Sequence, residues 1–245
     1  MKSSVSHVVD YREMKIPQDM FVIEIPSWQA VAQPLIDYAK KDYARLTGES
    51  IDQLEDDHVA MLEIPANSIA ELKRMGTEVY RQKALDQRFY LKILPLILSN
   101  YAEDSNTILN DQEVDQYVTE YMDRVAAYAE NAQMDLETYG RSMMGIPGSV
   151  EEEFHKRAKE DFIYKLVANH LFQDQAKQLK EEDYDAYIQA QVLSQGIDPI
   201  ELKAAISFQN FKEGYPEMTL SQEIYDYYYP KIHFEINPQA DLTLD

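Results

Sequence analysis

Apolar residues in the second half of the chain recur every three or four positions and are separated by polar ones. From Val114 the apolar positions step alternately by four and three, and from Val150 they step by four. This spacing puts apolar side chains on one face of an α-helix, where they pack against another helix. It predicts two long amphipathic helices. The second has no glycine or proline from Ser149 to about Gln178 and would be roughly 45 Å long.

Capping residues mark where the helices of this half begin. At four places an Asn, Ser, Asp or Thr stands three positions before an acidic or amide residue: Asn110 before Glu113, Ser149 before Glu152, Asp198 before Glu201, and Thr219 before Gln222. The first side chain in such a pair accepts a hydrogen bond from a backbone amide of the first helical turn. The sequence therefore predicts four helix starts here.

Two helices are predicted in the first half of the chain. Residues 27–46 form one, with Pro34 near its first turn and Gly48 at its end. Residues 67 and 68 are the candidate caps of the other. Pro95 is expected to kink this second helix or to end it shortly before the proline.

Alternating patterns predict short strands near both ends. Residues 21–26 alternate in this way, and so do residues 231–236. The polar segment 102–110 is the best candidate for a domain boundary. Only seven glycines are present, which disfavours an all-β fold. The predicted fold class is therefore mainly α, with a few short strands near the two ends.

Composition and charge exclude several classes of protein. The chain has no cysteine, which rules out disulfides and thiol catalysis. It has no apolar stretch long enough for a membrane span and no apolar signal segment at its start, so we expect a cytoplasmic location and no membrane partner. The 44 acidic residues outnumber 23 basic ones and give a net charge of −21, which would repel nucleic acid.

Candidate catalytic and metal sites are sparse. Glu151 with His155, and His170 with Asp174, have the four-residue spacing that could place two ligands on one helix face. A zinc site needs at least three protein ligands, and no second histidine is near either pair. Phosphate-loop, nucleophile-elbow and dinucleotide motifs are absent from the sequence. We therefore expect no enzymatic activity and no cofactor.

Several segments, taken in order, resemble the substrate-binding C-terminal domain of the bacterial trigger factor chaperones. They are 54–59, 68–73, 109–118, 134–139 with 145–146, 152–161, 179–187 and 196–203. The resemblance implies an elongated multi-helix body with projecting helical arms. It also implies three parts: a strand and helix segment over 1–53, a trigger factor-like helical domain over 54–237, and a polar tail over 238–245.

The chain departs from that family in its first part. Trigger factors dock on the ribosome through a short basic loop, and the corresponding place here is 46–50, which is neutral to acidic. There is also no room before residue 54 for the family's prolyl isomerase domain. The resemblance thus implies an ATP-independent holdase chaperone that lacks ribosome docking and isomerase activity.

The expected partners are unfolded or partly folded polypeptides. Methionine and aromatic side chains suit such contacts because they adapt to shape and cover apolar area. The residues predicted to be exposed for client binding are Met122, Met134, Met143, Met144, Phe208, Phe211, Tyr215, Met218 and Tyr228. The stripe residues Tyr121, Tyr128, Phe154 and Phe162 are expected to be packed.

Two other functional hypotheses stay open on sequence alone. The same helices could form an adaptor that holds one specific folded partner. A degenerate prolyl isomerase is disfavoured by the missing β-domain. Apolar walls of this kind would also allow a homodimer.

Overall fold

The computed structural model describes residues 2–25 and 27–236, except for the side chain of Gln195. The chain forms two compact units, and each is built from segments far apart in sequence. Unit 1 comprises residues 2–15 and 95–227, and unit 2 comprises residues 16–94 and 228–236. The predicted division between residues 53 and 54 thus lies within unit 2, and the predicted boundary segment 102–110 lies within unit 1. The polar tail 238–245 is outside the described residues.

The fold is mainly helical with a few short strands, as predicted. Unit 2 contains α1 (Trp28–Thr47), α2 (Asp56–Ala60), α3 (Ile69–Arg88), a π-helical turn (Phe89–Ile93), 3-10 turns (Gln18–Phe21, Tyr229–Lys231), and strands β2 (Val22–Ile25) and β4 (His233–Ile236). The two strands lie next to each other and run parallel, with Val22 opposite His233 and Ile25 opposite Ile236. Both strand predictions are therefore confirmed.

Helices α1 and α3 form the body of unit 2. Gly76 on α3 lies so close to Leu35 on α1 that a Cβ atom there would be 3.2 Å from the leucine side chain. The two helices and the segment between them enclose an apolar core. Its buried residues are Ile36, Ala39, Tyr43, Leu54, Val59, Leu62, Ala66 and Leu72. Close helix packing of this kind excludes water from the apolar stripe of each helix.

Prolines in two of the helices differ in their effect. Ser27 caps α1 by accepting a hydrogen bond from the Ala30 amide at 3.0 Å, so the helix starts at Trp28. Pro34 consequently lies inside α1, and the prediction that it sits in the first turn is wrong. Pro95 lies in the first turn of α4 (Leu94–Asp104) and follows the π turn directly, in which the Leu94 amide donates to the Phe89 carbonyl. Proline has no amide hydrogen to donate, and a wider turn before it is one way for the helix to continue without that hydrogen bond.

Unit 1 contains most of the helices of the second half. Besides α4 they are α5 (Asp111–Asn131), α6 (Leu136–Ser142), α7 (Val150–Asp174), α8 (Glu181–Gln195), α9 (Pro199–Ala205) and α10 (Phe208–Tyr228). The side chains of Asn110, Ser149 and Asp198 accept the expected amide hydrogen bonds, so three of the four predicted helix starts are confirmed. Helix α7 ends at Asp174, four residues before the predicted end near Gln178, and is about 37 Å long.

The predicted helix start at Thr219 is wrong. Helix α10 begins at Phe208, where the Ser207 hydroxyl accepts a hydrogen bond from the Asn210 amide at 3.1 Å. Thr219 lies inside this helix and donates its hydroxyl proton to the Tyr215 carbonyl at 2.8 Å. A threonine can bond either to an amide ahead of it or to a carbonyl behind it, so the local pattern alone does not distinguish a cap from a helix interior.

A second two-stranded sheet, which the sequence did not predict, lies in unit 1. Strand β1 (Ser4–His7) runs antiparallel to β3 (Asn106–Ile108), with an irregularity between Val5 and His7. Both segments are polar and very short, and the pairing joins residues about a hundred positions apart. The predicted boundary segment is therefore part of a sheet.

Helix α7 is the centre of unit 1. One end packs on α5 through Val125, Val150 and Phe154, and the middle packs on α5 through Val118, Ala158 and Phe162. Helix α6 lies close against the first turn of α7: a Cβ atom on Gly140 of α6 would be 2.4 Å from the side chain of Val150. On another face, the Tyr164 hydroxyl is 2.8 Å from that of Ser221 on α10. These contacts bury α7 from several sides.

Glycine substitutions provide a test of this packing. Replacing Gly140 with alanine would force a methyl group into the buried side chain of Val150, so we expect a loss of about 1–3 kcal/mol in unfolding free energy. Gly214 on α10 has open space around its Cβ position, and alanine there should stabilise the helix by about 0.5–1 kcal/mol. Chemical denaturation of G140A and G214A measures both. Equal effects of the two changes would contradict the close approach of α6 to α7.

Candidate functional site

The residues predicted for client binding lie at three separate places. Four methionines surround the junction of α5, α6 and α7 in unit 1. Along α10 of the same unit lie Phe208, Phe211, Tyr215 and Met218. Tyr228 belongs to unit 2. The prediction thus does not describe one continuous site.

At the first place one methionine is well exposed. Met143 caps the end of α6, and 52% of its surface is accessible. Met122 and Met144 are half-buried against the cluster that joins α5 to α7, and Met134 is half-buried beside Gln133, which has a positive φ. Tyr128, which we expected to be packed, is exposed on α5. The α5–α6 junction therefore presents Met143 and Tyr128 to solvent.

At the second place the prediction is wrong for Phe211. Only 3% of this side chain is exposed, and its ring lies 5.1 to 5.3 Å from those of Tyr184, Tyr187 and Tyr215. Gly214 and Pro216 suggested a break in the helix, but α10 continues through both and keeps Phe211 on the face that packs against α8. Phe208 and Met218 are exposed as expected, and Tyr215 is half-buried.

The third prediction, Tyr228, is also wrong. Its side chain is 2% exposed and its ring stacks on Phe21 with 6.1 Å between centroids. The Lys231 ammonium lies over the same ring at 4.9 Å. Tyr228 is therefore part of the core of unit 2 and is not exposed as predicted.

Among the residues that the structure describes, the most exposed large apolar side chains lie where the sequence did not point. Leu193 near the end of α8 is 86% exposed, and Ile200 in the first turn of α9 is 79% exposed. Gly196, with φ of 67°, lets the chain turn sharply between the two helices. Each helix is held by other residues, Ile188 on α8 and Leu202 on α9, which are buried with Phe211. Leu193 and Ile200 thus flank a tight turn, and neither contributes to the core.

A sequence signal for Leu193 existed but was ambiguous. The stripe of α8 runs through Tyr184, Ile188 and Val192 at steps of four, and Leu193 is one position beyond it. One position on a helix is about 100° of rotation, which points Leu193 away from the stripe. A leucine at the edge of a stripe is usually taken as part of it, so only the structure identifies its exposure.

The surroundings of this turn are acidic. From Lys180 to Lys203 there are six acidic residues and two basic ones, and the Lys203 ammonium is 2.8 Å from Asp185. Unit 1 as a whole has 28 acidic and 13 basic side chains and so carries −15 of the net charge. Like charge on two copies opposes their association, which allows apolar side chains to stay exposed.

A polar cluster inside unit 1 connects three helices. The Tyr117 hydroxyl on α5 donates to Asp161 on α7 at 2.7 Å, and Arg124 lies 3.9 Å from the same carboxylate. Burial, with the nearby Asp161 charge, raises the pKa of Tyr117 well above its ordinary range. Glu217 on α10 faces Lys165 at 4.0 Å. Both carboxylates therefore have a cationic neighbour, and the cluster ties α10 and α5 to α7.

The described part of the chain has a few potential metal ligands and one polar concave surface. No group of three potential metal ligands occurs there, and the His170–Asp174 pair, at 3.2 Å, is isolated. A concave surface runs along the first turns of α7, lined by Ser149, Glu151, Glu152, His155, Lys156 and Lys159. All six are exposed and lie on α7 or at its cap, so this surface lacks the converging buried groups of a ligand site.

The fold and these surfaces define a mainly α protein with exposed apolar side chains at helix ends. No protein-family model, no curated protein and no solved structure matches the chain. Among the helices that the structure describes, none has the combined length and apolar character of a membrane span.

The buried carboxyl of Glu217 gives a prediction for pH dependence. Burial raises its pKa, Asp161 adds to the rise, and Lys165 and Arg124 oppose it. A carboxyl whose folded pKa is raised contributes stability below its unfolded pKa, and this contribution is lost as the pH rises through the folded pKa. We therefore expect Glu217→Gln to be more stable than the natural protein at pH 7, with a difference that disappears in acid.

Thermal unfolding of both proteins between pH 4 and pH 8 measures this difference. Glu213→Gln, at an exposed position on the same helix, is the control and should leave the pH profile unchanged. A Glu217→Gln variant that is less stable than the natural protein at pH 7 would show that the Lys165 ion pair outweighs the cost of burial.

Proposed function

We propose that this protein is an ATP-independent holdase chaperone that binds apolar segments of unfolded or partly folded polypeptides. The observation that carries the proposal is the turn between α8 and α9, where Leu193 and Ile200 are 86% and 79% exposed. Exposed apolar side chains at such levels contribute nothing to folding stability, because they stay in water in the folded state. They are available to cover apolar parts of another chain.

Further exposed apolar side chains of unit 1 support the same function. Met143 and Tyr128 lie at the α5–α6 junction, and Phe208 and Met218 lie on α10. Several small apolar contacts suit a client without a fixed sequence, since each can engage a different segment. The strong negative charge supports solubility while these groups are exposed.

The energetics favour weak and reversible binding. If binding removes about 400 Å² of the client's apolar surface from water, the gross gain in free energy is roughly 10 kcal/mol at about 25 cal/mol per Å². Association and ordering of side chains offset most of that gain. Micromolar affinity is the expected outcome, and it allows release of the client without nucleotide hydrolysis.

The resemblance to trigger factor agrees with this proposal. The resembling segments include residues 179–187 and 196–203, which contain parts of α8 and α9 on either side of the exposed turn. No sequence resembling the ribosome-docking loop or the isomerase domain stands among the 245 residues. The activity proposed for this chain therefore includes neither ribosome docking nor proline isomerisation.

Substitution of the exposed turn tests the proposal. Leu193→Ser with Ile200→Ser removes both apolar side chains from positions that are outside the core, so folding should be unchanged. We expect the double variant to hold several unrelated chemically unfolded proteins in solution at least threefold less well than the natural protein. Light scattering of client aggregation at equal molar ratio measures this capacity.

A matched control lies in unit 2. Met61 and Val79 are 59% and 63% exposed, so Met61→Ser with Val79→Ser removes similar apolar area elsewhere. The control should keep full capacity. Unchanged capacity in the Leu193 and Ile200 variant, or an equal loss in the control, would contradict the assignment. If one folded partner were captured at fixed stoichiometry while aggregation was unaffected, the protein would be an adaptor.

A further inference from the structure

Residues 3–14, here called the strap, contain the extended strand β1 and, further along, a short 3-10 turn at Tyr11–Glu13. Strand β1 extends the edge of β3 in an antiparallel pair. The Ser3 amide donates to Glu113 at 2.8 Å, and the Ser3 hydroxyl accepts from the Asn110 amide at 2.8 Å. The strap is therefore bound mainly through its backbone and one small side chain, which is how an edge strand binds an extended peptide of variable sequence.

One aromatic side chain anchors the other end of the strap. Tyr11 is 6% exposed, and its ring meets that of Tyr227 on α10 edge to face at 5.7 Å. The Tyr227 hydroxyl donates to the Arg12 carbonyl at 3.4 Å. Burial raises the pKa of Tyr11, and Glu223 on α10 contributes to the rise. Unit 1 thus has a pocket for a large ring beside α10.

The rest of the strap is bound shallowly. Val5, Val8, Val9 and Met14 are only half-buried, and most of the other side chains are exposed. The pairing with β3 is short and has an irregularity after Val5. A segment with one buried anchor and a short ladder opens more readily than a core element does.

The surface beneath the strap continues into exposed apolar residues. Ile108 in β3 and Leu109 directly after it are both exposed large apolar side chains. An extended chain that replaced β1 would pair with the same edge and have these two side chains beside it. The surface therefore combines an edge strand, an apolar strip and a pocket for a ring.

We propose that this surface is a binding groove for an extended polypeptide, and that the strap occupies it in place of a client. The occupant is a segment of an unfolded client in extended conformation that carries one large aromatic side chain. The strap shows this chemistry directly, because it fills the groove with β-pairing and Tyr11. The proposal rests on the holdase function and adds a site and its regulation: the strap must leave before a client enters.

A disulfide that locks the strap tests this proposal. Ser4 and Ile108 are opposite each other in the antiparallel pair and both are exposed, and the chain has no cysteine of its own. Opposite Cα atoms in such pairs are about 4.5–5.5 Å apart, which a disulfide can span. In Ser4→Cys with Ile108→Cys, we expect the oxidised form to hold at least threefold less client than the reduced form of the same protein.

A peptide with the sequence of residues 2–15 gives a second readout that does not depend on chaperone activity. Tyr11→Ser in the protein weakens the internal strap, so this variant should bind the labelled peptide at least tenfold more tightly than the natural protein does. The oxidised double-cysteine protein should bind it at least tenfold more weakly. The same peptide carrying Tyr11→Ser should not bind measurably to any of the three proteins.

The outcomes separate the two proposals. Failure of the natural protein to hold any client overturns the holdase function, while the peptide affinities still decide the groove. Equal client capacity before and after oxidation, with equal peptide affinity in all three proteins, overturns the groove. If Tyr11→Ser does not fold, the comparison of the oxidised and reduced double-cysteine protein decides alone. Dimers that exchange their straps without a change in client capacity would also overturn the proposal.

Discussion

The burial of α7 is the constraint on which unit 1 depends. Helix α5 covers one face of it, α6 crosses its start at Gly140, and α10 bonds to it through Tyr164. A helix covered from several sides has no apolar face left to offer. The exposed apolar side chains of unit 1 lie on other elements, among them Tyr128 on α5, Leu193 on α8 and Ile200 on α9. Exposed apolar side chains and core are thus separated within unit 1.

Charge and exposed apolar surface are linked in this arrangement. Apolar side chains such as Leu193 would promote self-association in a neutral protein. Unit 1 carries −15, most of the net charge, so copies of it repel one another. The acidic composition, which first indicated only that nucleic acid is not a partner, acquires a role beside the α8–α9 turn.

Local sequence patterns predicted the helices better than the surfaces. The caps at Asn110, Ser149 and Asp198 bond to amides only three residues away, so the local sequence is enough to predict them. The pairing of β1 with β3 joins distant polar segments and leaves no local signal. Phe211 was expected to be exposed because Gly214 and Pro216 resemble a helix break, but packing on α8 outweighs that propensity. Which side of an apolar stripe faces solvent depends on tertiary partners.

In the proposed function, unfolded chains bind at the turn between α8 and α9. Its most direct test is a photo-activated crosslinker placed at position 193, with a second protein carrying it at the similarly exposed position 79 of unit 2. Each is illuminated with a chemically unfolded client and the crosslinked product is quantified. We expect strong crosslinking from position 193 and little from position 79. Equal crosslinking from both positions, or none from position 193, would contradict it.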